Sequence, residues 1–440
     1  MARPPPRYNT TIPWKDISPL PEPLKSPGKQ SPRVLVIGGG VTSLVTSWIL
    51  LDKGYHVTIV AKEWASWTDG QRITSQIAGA LWEFPPAVCG MHTDVISLDN
   101  SKRWSMVSYR IFCAIADDPE LSAQVGIRLE QSTFFFPYPI EEDAEQYAKM
   151  VEIEQTGVRG FRRTKDLIRE RNVNPDFGVV DAYEHLAPII DTDRAMGWLM
   201  SLVRSKGAAF INETIHGSLY KAENSLLARF EADVIVNATG LGAMELADDK
   251  TCYPLRGGVL RVINDGVDFP RVSASLIMSA DALHSLNEII FIVPRNDNIL
   301  IVGGIAEPDE WNLGGLTLES PIIQRMRKRC EEFLPALKSA RLDPEYPLAQ
   351  GLRPFRGTNV RVERELRTKS VNSRVGPVPS RIVHSYGQGG AGWSLAFGCA
   401  SDIAVLVAEA LADKPAIPMT MSDGSTPATP QKVHSWRSRL

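Results

Sequence analysis

A chain of 440 residues is too long for one ordinary hydrophobic core and suits two domains. With 43% apolar and 22% charged residues it has an average globular make-up, and a formal charge of −3 offers no attraction to nucleic acid or an anionic membrane surface. No run approaches the roughly 20 apolar residues of a membrane span, so no span is expected; scattered Cys89, Cys113, Cys252, Cys330 and Cys399 read as reduced, buried thiols of an intracellular protein, and histidines without ligand spacing imply no metal.

Residues 1–31 are proline-rich and lack an apolar signal core, which predicts a disordered arm. Val34 to Ile37 then form a short apolar strand running into Gly38, Gly39 and Gly40. Gly38 permits a sharp turn, and Gly40 lets backbone approach a pyrophosphate held by the amides that open the next helix at Val41. Val41, Leu44, Val45 and Trp48 carry the helical spacing, which stops at Gly54. A second strand, HVTIVAKE, ends on Glu63, about 20 residues past the glycines, where a carboxylate can accept from ribose hydroxyls. Ser43 replaces the third glycine of this dinucleotide fingerprint and adds only a hydroxymethyl group.

Further along, strands again end in glycine. Residues 231–243 read EADVIVNATGLGA, and 291–305 read FIVPRNDNILIVGGI, a hairpin about an Asn-Asp-Asn turn. Residues 381–392, RIVHSYGQGGAG, lead into a helix whose buried stripe is Ala400, Ile403, Ala404, Val407, Ala410 and Leu411. Small residues before a helix N-terminus make a cradle for an anion or carbonyl, such as the anionic locus of a reduced flavin. Two such glycine tracts, one near each end, point to a flavoprotein. From about Lys414 the chain turns polar and ends Ser438, Arg439, Leu440, close to the peroxisomal S-K-L signal. Peroxisomal localisation through an import receptor is the expectation.

The ordered set VLVIGGGV, ITSQIAGALWE, VIVNATGLG, PLRGG, ILIVGGI, GLRPFRG and HSYGQGGAGWS resembles the D-amino acid oxidase and D-aspartate oxidase family, in its fungal form, over about residues 33–412. The resemblance implies an α/β chain with a discontinuous Rossmann-like FAD domain (32–90, 190–256 and 380–412). It also implies an α+β substrate domain with a curved antiparallel sheet (91–189 and 257–379), followed by a flexible tail at 413–440. Carried over residue by residue, it puts Gly38, Gly40 and Val41 at the FAD pyrophosphate and Glu63 at the ribose. Thr74, Ser75, Gln76, Ala78 and Trp82 fall beside the flavin, and Gly389, Gly390, Gly392, Trp393 and Ser394 around its ring. The Gly390 carbonyl would face the substrate amine, and Arg353 in GLRP would clamp the substrate carboxylate. A guanidinium suits that task because two parallel N–H donors match a carboxylate; an ion pair with Glu363 or Glu365 is the structural alternative.

The chain departs from the family where a tyrosine begins the hairpin strand, having Phe291, and where a lid tyrosine stands, having Asn287. Each lost hydrogen bond to a carboxylate costs roughly 1.5–3 kcal/mol, so Tyr253, Asn287 or Gln388 would have to compensate, or the substrate differs. Phe134, Phe135, Phe136 and Tyr138 are core, or else a pocket lining. The implied reaction is oxidase chemistry on a small molecule. Hydride passes from an amine-bearing carbon to flavin N5, and O2 reoxidises the cofactor with release of hydrogen peroxide. The alternative is a biosynthetic FAD oxidoreductase of the same fold that dehydrogenates a carbinol or amine of a specialised metabolite, as in kojic acid formation. A nicotinamide dehydrogenase or an inactive binding protein would need the second glycine tract to be a mere turn.

Overall fold

The computed structural model describes residues 16–68, 70–86, 95–278, 289–370 and 377–419. Asn287, Cys89 and the terminal Ser438–Leu440 signal lie outside these residues. Six strands form the first sheet, in the spatial order Arg361–Arg364, Ile382–Tyr386, Val234–Asn237, Arg33–Ile37, His56–Ala61 and Ala209–Asn212. The pairs are parallel except at the Arg361–Arg364 edge. Val34, Leu35 and Val36 are all but fully buried, as a parallel strand covered on both faces requires.

One of the covering layers is helical. The first helix (Val41–Asp52) packs on the closing helix (Gly392–Leu411), which in turn packs on the helix Val95–Ala116. The last crossing is tight: a Cβ on Gly398 would stand 2.2 Å from the Trp104 backbone. Its 20 residues and mean hydropathy of 1.6 make the closing helix long and apolar enough to cross a bilayer. That corrects the expectation that no run approaches this composition; here the apolar faces are spent on neighbouring helices and the strand Ile382–Tyr386.

The second sheet has nine strands built around the long strand Cys252–Ile263, which pairs with Ile299–Gly303 and Glu307–Pro308 and, antiparallel, with Leu348–Arg356. The expected hairpin is present, Ile290–Pro294 returning as Ile299–Gly303 with Phe291 opposite Gly303. One pairing is parallel, Ser132–Phe134 beside Ser275–Ile277. Phe134, Phe135 and Phe136 are buried, with Phe134 stacked on Tyr183 and His185, which makes them core.

Three boundary expectations are corrected. Residues 252–256 belong to the second sheet, because the strand that begins at Cys252 continues unbroken to Ile263. Residues 361–364, expected in the substrate domain, form the edge of the first sheet against Ile382–Tyr386. Residues 16–31 are ordered rather than part of a disordered arm. Ile17 is buried, and the Asp52 carboxylate accepts from the Ser18 amide (2.8 Å), the Leu24 amide (3.0 Å), Trp48 Nε1 (2.9 Å) and Lys206 Nζ (2.7 Å). A fully buried carboxylate needs such partners, and the strap of chain supplies two of them.

Candidate active site

The two sheets flank one cavity of about 890 Å3, toward the upper end of the roughly 300–1,000 Å3 range of small-molecule sites. Its floor begins where the first strand ends. Gly38 has φ +131°, and a Cβ there would lie 2.2 Å from the Ala238 carbonyl oxygen, so the turn requires glycine. Gly40 and Val41 follow in the wall, with Glu63 from the end of the second strand. The Ser43 hydroxyl that replaces the third glycine is buried and donates to the Gly40 carbonyl at 3.0 Å.

Segment 74–83 runs along the cavity. The Ser75 hydroxyl accepts from the Val41 amide (3.1 Å), the Thr74 hydroxyl donates to the Leu352 carbonyl (3.0 Å), and Ala78 lines the wall. Gln76 and Trp82 do not line it. Gln76 grips the backbone of Ser66 through both ends of its amide and donates to Asp193 at 3.0 Å. Trp82 is fully buried, its Nε1 donating to the Ser105 carbonyl at 3.0 Å. Both therefore hold the segment from behind rather than touching what the cavity contains.

A third support, for which no sequence pattern offers a signal, is Arg295, which follows the hairpin strand and is 2% exposed. Its guanidinium donates to the carbonyls of Gln76 (3.1 Å) and Ala78 and to the Thr192 hydroxyl (2.6 Å). Burial first, and neighbouring Arg261 next, push its pKa down to about 10 against the pull of Asp193. The hairpin and the segment 74–80 are thereby one mechanical unit.

The far wall carries Arg353. In the strand register it stands opposite Leu255, and its guanidinium lies flat on Gly257, where a Cβ would be 2.6 Å from Cζ, Nη1 and Nη2. Its Nη1 donates to the Ile305 carbonyl at 3.2 Å. Among the described residues it forms no ion pair: Glu363 is engaged by Arg361 at 2.7 Å, and Glu365 by Arg367 at 2.7 Å and His384 at 3.2 Å. The glycine turn is tied to the same strand, since the Gly389 amide donates to the Pro354 carbonyl at 3.0 Å. That bond brings Gly389 and Gly390 beside Arg353, with Gln388, Gly392, Trp393 and Ser394 in the same wall. Trp393 Nε1 donates to the Ser75 carbonyl at 2.9 Å.

Phe291 lines the cavity with its ring on Gly79, where a Cβ would be 2.3 Å from Cε1. Of the residues that could replace the missing hydroxyls, Gln388 is in the wall and Tyr253 is not; Tyr253 packs near Phe355 instead.

The residues fit FAD. The first and closing helices both open on the cavity, and neither has a side-chain cap or an acidic residue in its first turn. The remaining first-turn amides suit one pyrophosphate and one anionic ring edge, and Glu63 lines the cavity beside the first glycine turn, its carbonyl oxygen 2.3 Å from where a Cβ on Gly39 would stand.

Comparisons with known proteins agree. Residues 33–406 match the DAO family model, described as FAD dependent oxidoreductase. A D-amino-acid oxidase from Rubrobacter xylanophilus is 30% identical over 387 residues, covering 87% of this chain and 98% of its own. One from Streptomyces coelicolor is 28% identical, covering 85% and 96%. Among solved structures, glycine oxidase from Bacillus cereus has a TM-score of 0.62 at 17% identity, covering 90% of this chain and all of its own. The L-alpha-glycerophosphate oxidase from Mycoplasma pneumoniae, with FAD bound, has 0.62 at 14%, covering 91% and 100%; these two show the fold. The chain belongs to the DAO family of FAD-dependent oxidoreductases, with FAD as its cofactor.

Proposed function

We propose that the protein is an oxidase of D-amino acids, acting on the amine-bearing carbon of a small carboxylate with dioxygen as acceptor. One observation carries this reading: a guanidinium without a carboxylate partner among the described residues, set in a cavity wall that also carries the apolar side chains of Ile277, Ile289, Phe291, Trp311 and Leu313. A cation so placed is suited to an anion brought by the ligand. The bond to Ile305 and the flat seat on Gly257 fix the plane of the fork. Gly390, exposed in the wall beside it, offers a carbonyl to the amine. Holding a carboxylate at Arg353 and an amine at Gly390 leaves one face of the carbon open, which sets handedness and alignment. The apolar wall keeps water from the reacting bond. FAD, when bound, supplies the two-electron acceptor and passes the pair to dioxygen, giving hydrogen peroxide. The imine product hydrolyses in water to a keto acid and ammonia.

Dehydrogenation of a carbinol or amine in a specialised metabolite is favoured by Phe291 alone among the described residues, since it removes a hydroxyl from the carboxylate site. Peroxide release by the flavin-loaded enzyme on a panel of D- and L-amino acids decides the matter. Turnover confined to D-isomers is expected; no turnover of any of them overturns the proposal and leaves the carbinol reading. Where Ser438, Arg439 and Leu440 form the carboxyl terminus, we further propose import into peroxisomes, consistent with a peroxide-forming reaction. Deleting the three residues should leave a tagged protein diffuse in the cytosol, and continued concentration in organelles would remove the signal.

A further inference from the structure

At one corner of the cavity, next to the closing helix, stand polar side chains to which neither the carboxylate clamp nor the cofactor cradle assigns a task. Glu83 stands there, its carboxylate about one-fifth exposed and in the cavity wall. Glu83 Oε1 accepts from Lys149 Nζ at 2.7 Å, and the Lys149 side chain is 4% exposed. The other carboxylate oxygen has no partner among the described residues. Ser101 lies in the same wall, one helical turn before Ser105, whose hydroxyl donates to the Glu83 carbonyl at 3.4 Å; Ser101 is fully buried and its hydroxyl has no partner among the described residues. A buried hydroxyl and a half-satisfied carboxylate sharing one wall are groups awaiting a hydrogen-bonding ligand.

The course of segment 74–83 locates this corner. At its start the Ser75 hydroxyl meets the Val41 amide at the first helix, in its middle Gly79 lies under Phe291, and at its end the Glu83 amide meets the Ser394 hydroxyl at 3.4 Å. Glu83 is therefore beyond the substrate hairpin's contact and at the opposite end of the segment from the pyrophosphate turn. We propose that Glu83 and Ser101 form a subsite for the side chain of the substrate, and that it takes an uncharged hydrogen-bond donor, a hydroxyl or a carboxamide. The inference rests on the reading of the protein as an amino acid oxidase.

Charge selects the ligand class. Lys149 already neutralises Glu83, so a cationic side chain would have to share one carboxylate with a second ammonium. An anionic side chain would face the free carboxylate oxygen. A neutral donor satisfies that oxygen and leaves the pair intact, and the Ser101 hydroxyl can serve the donor's other atom, whether lone pair or carbonyl.

The test uses flavin-loaded enzyme and near-isosteric pairs: D-asparagine against D-leucine, D-threonine against D-valine, D-serine against D-2-aminobutyrate. Wild type should prefer the polar member of each pair by about tenfold or more in kcat/KM, the worth of one hydrogen bond to a charged group. D-lysine and D-aspartate should be the poorest. Glu83→Leu combined with Lys149→Met removes both charges together and should bring the ratio near or below one. Ser101→Ala, which leaves the ion pair in place, should lower it a few-fold and serves if the double variant does not fold. A wild-type ratio near one, or a ratio unmoved by both variants, overturns the subsite. Loss of bound flavin from Glu83→Gln would assign the carboxylate to the cofactor and overturn it equally. If wild type turns over no D-amino acid, the oxidase reading falls. The subsite is then judged by titrating the flavin spectrum with succinamate against 4-methylpentanoate, where equal affinities reject it.

Discussion

The cofactor half and the substrate half of the cavity are built by different means. On the cofactor side the two glycine tracts each run strand, glycine turn and helix in immediate succession, and the critical distances there are between backbone atoms, such as Gly38 against Ala238. On the substrate side the pieces come from distant parts of the chain and meet as side chain on glycine: Arg353 on Gly257, Phe291 on Gly79. A backbone cradle tolerates no change because nothing in it can rotate away. A side chain seated on glycine can be re-aimed, so the substrate half is where specificity can alter while the flavin stays in place.

A cofactor half that tolerates substitution would undo this division. Gly38→Val adds a β-branched side chain at φ +131°, 2.2 Å from a carbonyl oxygen, and both the backbone conformation and the contact forbid it. Complete loss of visible flavin absorbance from the purified protein is expected, with or without loss of folding by circular dichroism. Retained stoichiometric flavin would refute the rigid-cradle account. Arg353→Leu comes next. Removing two charge-assisted hydrogen bonds forfeits about 3–6 kcal/mol, so kcat/KM for a carboxylate substrate should fall at least a hundredfold while flavin absorbance is kept. Unchanged kinetics would take the clamp out of the mechanism.

What could be read from the sequence follows the same division. The strand ending at Ile37, the helix from Val41, Glu63, and the turn before the closing helix are contiguous patterns, and the chain folds them locally. Arg353 is legible through the resemblance of GLRP to the family motif, and the two parallel donors of its guanidinium agree with the carboxylate role that the resemblance implies. The resemblance implies that Gln76 and Trp82 lie beside the cofactor, but side chains in one segment point both ways, and these two do not line the cavity. Gln76 is engaged by Asp193, 117 residues away. Arg295 and Lys149 carry no local pattern at all; what gives them meaning is the carbonyls of Gln76 and Ala78 and the carboxylate of Glu83, which only the fold brings near. Gly79 and Gly257 sit inside the quoted motifs, yet nothing in the sequence says which side chain each must accommodate.

Two smaller effects are expected on the substrate side. Gly257→Ala puts a methyl 2.6 Å from the Arg353 guanidinium. The guanidinium is the far end of a flexible side chain, so the fold and the flavin should survive while the fork tilts. Misplacing a positioned group by about 1 Å costs up to a hundredfold, and a 10- to 100-fold fall in kcat/KM is expected from steady-state kinetics on the best D-amino acid. Parity with wild type would mean that the seat on Gly257 does not aim the fork.

Phe291→Tyr should have the smallest effect and runs in the favourable direction. The ring already touches Gly79 along its Cε1 and Cζ atoms, so a phenol oxygen on Cζ extends past that contact into the cavity that Arg353 also lines. A second donor to the same carboxylate is worth up to about 1.5–3 kcal/mol when the geometry is good, and an imperfect approach reduces this to roughly a tenfold drop in KM. Because the backbone cradle is untouched, the flavin spectrum and its dissociation constant should not move. A lower KM with an unchanged spectrum would mean that the substrate half had merely lost a partner for Arg353. An unchanged KM would mean that the carboxylate never comes within reach of the ring.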